Sequence, residues 1–149
     1  MNRRTILAGA AFTLSTSFAG CVGDTTQTAS APTEIVKSDF ETGVDTDVSW
    51  EDGPEIMVAP DDSKVTVEGV GQYSSSSCGY LDNHEPSYDP EDAELSVVVT
   101  AEQDRSDDEH DCEDDLAASS YRFGIQFDEG IPRKIEAEHP FEESSIKEL

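Results

Sequence analysis

The chain has 149 residues, of which 34 are acidic and 9 are basic, so its formal net charge at pH 7 is −25. This length suffices for one domain with a modest core. The charge balance leaves no basic patch, which excludes binding to nucleic acid or to anionic lipid through such a patch, and alternating patterns in the middle of the chain argue against wholesale disorder.

Residues 1–20 have the layout of an export signal that is removed. Arg3 and Arg4 form a positive end, a weakly apolar run follows over 6–18, and two small residues precede Cys21. Small residues at this point fit the narrow cleft of a signal peptidase. A transmembrane helix needs about 18 or more apolar residues, so this run predicts a signal peptide and not a membrane span.

Two resemblances meet in this segment. Residues 3–7 (RRTIL) resemble the twin-arginine signal of the pathway that exports folded proteins. Residues 18–21 (FAGC) resemble a lipobox, with Phe18 where that motif prefers Leu. The resemblance implies cleavage before Cys21, a covalent lipid on its sulfur, and attachment to the outer face of the cytoplasmic membrane. The alternative is an ordinary secretory signal in which the cysteine is incidental.

The composition also resembles that of secreted proteins from extremely halophilic archaea, and together with the signal it resembles small lipoproteins of those organisms. Self-repulsion among so many carboxylates opposes the compact state at low ionic strength. At about 1 M salt the Debye length falls to about 3 Å, which screens most of that repulsion. We therefore expect the protein to need molar salt to fold.

The rest of the chain divides into three parts. Residues 21–33 are rich in Thr, Ala and Gly without apolar periodicity, which predicts a flexible tether. Residues 34–139 carry the strand patterns and are the predicted folded domain. Residues 140–149 form an acidic C-terminal tail with room for one helical turn.

Within the domain, apolar and polar residues alternate with a period of two, which is typical of strands buried on one face. Turn residues separate about six or seven short strands, and this spacing predicts an all-β fold, a small antiparallel β-sandwich. A single stretch, 113–119, has room for one or two helical turns. The predicted strands cover 44–50, 56–59, 63–70, 94–101, 121–127 and 134–139.

Two cysteines remain beyond Cys21. In an oxidising compartment, Cys78 and Cys112 are most simply paired as a disulfide. The rival interpretation is a nucleophilic or metal-binding Cys/His site that uses His84 or His110. Such a site needs free thiols and an oriented base, for which the sequence gives no sign.

The acidic segment 104–115 (DRSDDEHDCEDD) is the candidate metal site. Hard cations such as calcium need several oxygens at about 2.3–2.6 Å, and carboxylates supply them. The segment lacks the glycine and the flanking helices of an EF-hand, so a solvated loop that attracts cations loosely is the favoured alternative. The candidate ligands are Asp104, Asp108, Asp111 and Asp115.

No catalytic motif or phosphate-binding loop occurs, so we expect neither an enzyme nor a bound cofactor. The expected function is that of a monomeric, non-catalytic surface lipoprotein with an envelope or binding role and an unassigned partner. The alternative is a module that binds a divalent cation through 104–115, or carbohydrate through Tyr73, Tyr80 and Tyr88. We expect His139 to be a half-buried packing residue.

Overall fold

The computed structural model describes residues 30–104, 111–141 and 143–149. In these residues the chain forms strands and one short 3-10 turn at Pro60–Asp62. The described part contains no helix with the length and hydropathy to cross a bilayer. The strands are β1 (Ile35–Thr42), β2 (Glu55–Ala59), β3 (Lys64–Ser74), β4 (Gly79–Asn83), β5 (Ser87–Asp89), β6 (Glu94–Gln103), β7 (Leu116–Phe127), β8 (Lys134–His139) and β9 (Glu143–Glu148).

The strands form two sheets that pack face to face, so the predicted all-β sandwich is confirmed. The first sheet has the order β1-β7-β3-β2 and is antiparallel throughout. The second has the order β4-β6-β8-β9, and β5 also pairs with β6. The β6–β8 pair is parallel, because the chain leaves β6, crosses to the first sheet as β7, and returns to the second as β8.

The core lies between the two sheets and is built by the inward positions of the alternating strands. The inward stripes predicted for β3, β6, β7 and β8 are buried, although Ala101, near the end of β6, is exposed. His139 is more deeply buried than predicted, with 4% of its surface exposed. The buried cluster comprises Ile56, Val65, Val67, Leu81, Leu95, Val97, Val99, Tyr121, Phe123, Ile125, Phe127, Ile135 and Ala137.

The strand predicted over 44–50 is wrong. This segment is not part of either sheet, and its polar groups bond to side chains of β7 and β3. The Ser120 hydroxyl donates to the carbonyl of Val44, and Thr46 Oγ1 donates to Glu68 Oε2 at 3.1 Å. The alternating residues 44–50 therefore form a segment that crosses the outer face of the first sheet, and not a strand of it.

The helical turns allowed for 113–119 and for the C-terminal tail are also wrong. β7 begins at Leu116, which pairs with Ser74, because β7 follows β3 along its whole length. Most of the tail forms β9, paired with β8 from His139↔Glu143 to Lys134↔Glu148. Lys147 Nζ also donates to the carbonyl of Ile56 at 3.0 Å, so this edge strand is tied to the first sheet.

The last residues of the predicted tether contact the sandwich, and β1, which the sequence did not predict, follows them directly. Pro32 is buried, and its carbonyl accepts a bond from the Tyr88 hydroxyl at 2.8 Å. The carboxylate of Asp128 accepts bonds from the hydroxyl and amide of Thr33 and from the amide of Glu34. These bonds lower the pKa of Asp128 to about 2. Residues 21–29 lie outside the described residues.

The sandwich consequently has two distinct ends. The anchored end is where residues 30–34 meet Asp128 and Tyr88. The distal end carries the turn after β3 and the start of β7, where Ser74 pairs with Leu116. Since β7 has 12 residues at about 3.3 Å each, roughly 36 Å separates the two ends.

Candidate binding site

A shallow depression opens on the surface at the distal half of β3, past the point where β2 ends its pairing at Glu68. We name it the Trp50 depression, after its most exposed large ring. Its cavity volume is about 80 Å³, so it is a small surface feature. Its walls and floor are formed by Trp50, Val70, Gln72, His139, Pro140 and Phe141.

Two aromatic rings line the depression and are mostly exposed. Trp50, the only tryptophan in the chain, is 56% exposed, and Phe141 is 59% exposed. Phe141 has a backbone φ of 76°, in the left-handed region that bulky residues rarely occupy. Phe141 lies in the short turn that joins β8 to β9, and this turn sets where its ring lies.

The crossing segment 44–50 sets the position of Trp50. Its start is fixed by a bond from the amide of Gly43 to the carbonyl of Ser120 at 2.8 Å. Its end is a turn in which the amide of Asp52 donates to the carbonyl of Ser49 at 3.0 Å. Trp50 lies inside that turn, so its ring is carried to the rim of the depression by backbone bonds on both sides.

One lining residue, His139, belongs to a buried polar pair. His139 Nδ1 and the hydroxyl of Tyr121 are 3.2 Å apart, and the two rings meet edge to face with centroids 6.1 Å apart. Tyr121 is fully buried, and this burial raises the pKa of its phenol well above the usual value. The phenol fits because the opposite residue is Gly69, where a Cβ would lie 2.7 Å from the hydroxyl oxygen.

Among the residues that the structure describes, none of the six that line the depression carries a carboxylate, although the chain has 34 acidic residues. The lining offers aromatic faces and the amide of Gln72, which both donates and accepts hydrogen bonds. Such a surface can stack against an apolar face of a ligand and bond to hydroxyl groups.

The predicted disulfide is confirmed: the sulfurs of Cys78 and Cys112 are 2.09 Å apart and close a loop with a sequence separation of 34. Further bonds join the same two loops. The amide of Glu113 donates to Ser77 Oγ at 3.0 Å. The disulfide therefore belongs to a bonded cluster at the distal end, and His84 lies apart from it, beside Val98 on the second sheet.

Of the four candidate metal ligands, the structure describes Asp104, Asp111 and Asp115. In the described part of the chain, no group of three or more His, Cys, Asp or Glu side chains is placed to hold a metal. Asp115 accepts bonds from the amide and the hydroxyl of Ser76, both at 2.7 Å, and these bonds lower its pKa. The amide of Asp104 bonds to the carbonyl of Cys78, Asp111 is exposed, and Asp108 lies outside the described residues.

The three tyrosines suggested for carbohydrate binding do not form an exposed row. Tyr73 and Tyr88 pack against the core, and Tyr88 meets Phe127 edge to face at 5.3 Å. Tyr80 alone is substantially exposed, at 45%. Packing against the core explains two of these residues, and carbohydrate binding through the three tyrosines stays a prediction.

No family model, curated protein or solved structure matches this chain. Arg3, Arg4, Cys21 and His110 lie outside the described residues. The residues that sequence reasoning missed are Trp50 and Phe141, which are far apart in the chain and share no motif. The available signal was the single tryptophan itself, which the sequence pattern assigned to the inward face of a strand.

Proposed function

We propose that this chain is a lipid-anchored protein of the outer face of the cytoplasmic membrane, exported by the twin-arginine pathway and cleaved before Cys21. Its β-sandwich acts as a monomer and has a non-catalytic binding role. Support comes from the paired Arg3 and Arg4, the weakly apolar run after them, and the small residues before Cys21.

The observation that carries the proposal is the way the chain enters the sandwich. Pro32, Thr33 and Glu34 are bonded to Tyr88 and Asp128 at the anchored end. A fully extended chain from Cys21 to Ser30 reaches at most about 35 Å. A lipid on Cys21 would thus hold the anchored end within about 35 Å of the bilayer, and the disulfide cluster and the Trp50 depression lie towards the other end of the domain.

Net charge favours the same arrangement. A domain in a chain with a net charge of −25 is repelled by anionic headgroups, so the bilayer does not draw the domain down onto its surface. Molar salt reduces this repulsion to a short range. The membrane contact is then made by the lipid and its tether, and the faces of the sandwich stay open to partners in solution.

The test is membrane fractionation of the full chain in its native type of cell. The substitution Cys21→Ser removes the sulfur that would carry the lipid, so we expect the protein to move from the membrane to the medium. Thr25→Ser is the matched control in the same tether and should stay in the membrane. The intact mass of the wild-type protein should equal residues 21–149 plus lipid. A Cys21→Ser protein that stays membrane-bound would contradict the anchor.

A further inference from the structure

We propose that the Trp50 depression binds a neutral sugar unit of a glycan, with the sugar ring stacked on Trp50 beside Phe141. The inference rests on the proposed surface location for its biological setting. The chemistry rests on the depression alone. Ligand sites are typically concave, mostly apolar, and supplied with a few polar groups that fix orientation, and this depression has that character.

Trp50 and Phe141 supply the aromatic faces on which a sugar ring can stack. A pyranose has one face of C–H bonds, which packs on an aromatic face, and hydroxyl groups around its rim. Trp50 and Phe141 both line this depression, and each leaves more than half of its surface exposed. Exposed aromatic residues scattered singly need no explanation, but two that line a depression form a surface of binding type.

Gln72 supplies the hydrogen-bonding group of the depression, and His139 forms its floor. The Gln72 amide lines the depression and has both a donor and acceptors, as sugar hydroxyls require. His139 at the floor is held in orientation by its bond to the buried Tyr121. The floor therefore has a fixed shape, and a ligand that enters does not have to order it.

Charge selects a neutral ligand. The chain carries −25 overall, and the described residues that line the depression carry none of that charge. An anionic ligand such as a uronate or a phosphate meets a repulsive field and no lysine or arginine among the lining residues. Stacking on an aromatic face does not depend on charge pairs, so binding of a neutral sugar persists in molar salt.

The test is a fluorescence titration, because Trp50 is the only tryptophan and its emission reports this depression directly. The full chain carrying Cys21→Ser is titrated in molar NaCl with maltotetraose, cellotetraose and mannotetraose. At least one should give a saturable change in emission. Phe141→Ala and Gln72→Ala should each raise the Kd about tenfold, which corresponds to about 1.4 kcal/mol. A tetramer of galacturonate should bind at least about tenfold more weakly than the best neutral sugar.

The matched control is Leu116→Ala, which removes an apolar side chain that is 69% exposed and lies outside the depression, and which should leave the Kd unchanged. Phe141→Leu keeps the apolar bulk without the ring and covers the case in which Phe141→Ala fails to fold. No saturable response to any neutral tetrasaccharide, or a response that both Phe141 variants leave unchanged, overturns the proposal. A response to an extended apolar peptide alone also overturns it. Membrane fractionation tests the lipid anchor independently of the titration. Failure of the sugar-binding proposal therefore does not imply failure of the anchor proposal, and the reverse also holds.

Discussion

The hydroxyl of Tyr121 and Nδ1 of His139 meet 3.2 Å apart, one from each sheet of the sandwich. Tyr121 lies on β7 and His139 on β8, so this bond joins the two layers through the core. A buried polar atom that loses its partner keeps its full desolvation cost, which makes this pair important for stability as well as for the floor of the depression.

Removal of the Tyr121 hydroxyl should destabilise the protein. Tyr121→Phe leaves the buried imidazole without this bond, and we expect a loss of about 1–3 kcal/mol in the free energy of unfolding. The measurement is chemical denaturation in molar salt. Tyr80→Phe, at a residue that is 45% exposed, is the control and should change little.

Tyr121→Phe should also change how the stability of the protein depends on pH in alkaline solution. Burial raises the pKa of Tyr121 above its ordinary value of 10.0, so the folded state resists loss of the phenolic proton. The contribution of Tyr121 to the free energy of unfolding is therefore fully present below pH 10. It is lost as the pH rises above 10, because the phenol ionises at a lower pH in the unfolded chain than in the folded state. Tyr121→Phe should flatten this decline, although Tyr88, whose pKa is also raised by burial, retains a part of it. An unchanged alkaline profile would count against this assignment.

Gly69 should not tolerate a side chain. A Cβ at Gly69 would lie 2.7 Å from the hydroxyl oxygen and 2.9 Å from Cζ of Tyr121, inside the packed core. We expect Gly69→Ala to cost about 1–3 kcal/mol by overpacking. Gly124→Ala is the matched control, since its nearest atom is Oδ2 of Asp39, the end of an exposed side chain that can move aside. Equal losses for the two variants would contradict the packing argument.

Reduction of the disulfide should destabilise the folded state. The bond between Cys78 and Cys112 spans a sequence separation of 34, which corresponds to about 3–4 kcal/mol on the chain-entropy model. We expect this loss for the Cys78→Ser/Cys112→Ser double variant, measured by denaturation in molar salt. Addition of a reductant should lower the wild-type midpoint and leave the variant unchanged. A wild-type protein indifferent to the reductant would show that the bonds around Asp115 hold these loops without the disulfide.

Loss of the Asp128 carboxylate should free the residues that lead into β1. Asp128→Ala removes the acceptor for Thr33 and Glu34, so we expect faster hydrogen exchange at those two amides and faster proteolysis around them. Because the folded pKa of Asp128 is lowered to about 2, its contribution is present above the ordinary value of 3.8 and is lost as the pH falls towards 2. Glu129→Ala removes the neighbouring exposed carboxylate and should leave these amides protected.

Stability should depend strongly on salt. In the described residues three ion pairs are formed, between Lys37 and Asp39, Arg122 and Glu68, and Lys134 and Glu94, far fewer than the carboxylates present. We expect the melting temperature to rise steeply from dilute buffer to molar KCl as repulsion is screened. Sucrose at matched osmolality is the control and should act more weakly. A fold that is equally stable in dilute buffer would contradict this prediction.

The predictable part of the fold is the part in which one face of a strand is buried. β3, β7 and β8 have strict alternation, and Val65, Phe123 and Ile135 point into the core as that pattern requires. β1 gave no such signal, because as an edge strand it packs against the core through Ile35 and Phe40, and a register shift between Ile35 and Lys37 breaks their spacing. β9 is mostly polar, and it is a strand because it pairs with β8. The local sequence of β9 does not reveal that pairing.

The candidate site was less predictable. Alternation over 44–50 is real, but the partners of the segment are Ser120 and Glu68, distant side chains that no local rule identifies. The depression forms only when the turn at Trp50 meets the end of β8 and Phe141. The disulfide was predictable because its inference needs only two cysteines and an oxidising compartment, and not their relative position.

The pairing of β1 with β7 has a consequence for the order of folding. Ile35 pairs with Phe127, and β7 also forms the centre of the first sheet between β1 and β3. During synthesis, β1 therefore has no strand to join until β7, which ends at Phe127, has emerged. Folds dominated by such distant pairings form slowly, since long loops must close before their contacts stabilise the chain. The first strand to be made is thus among the last to be incorporated.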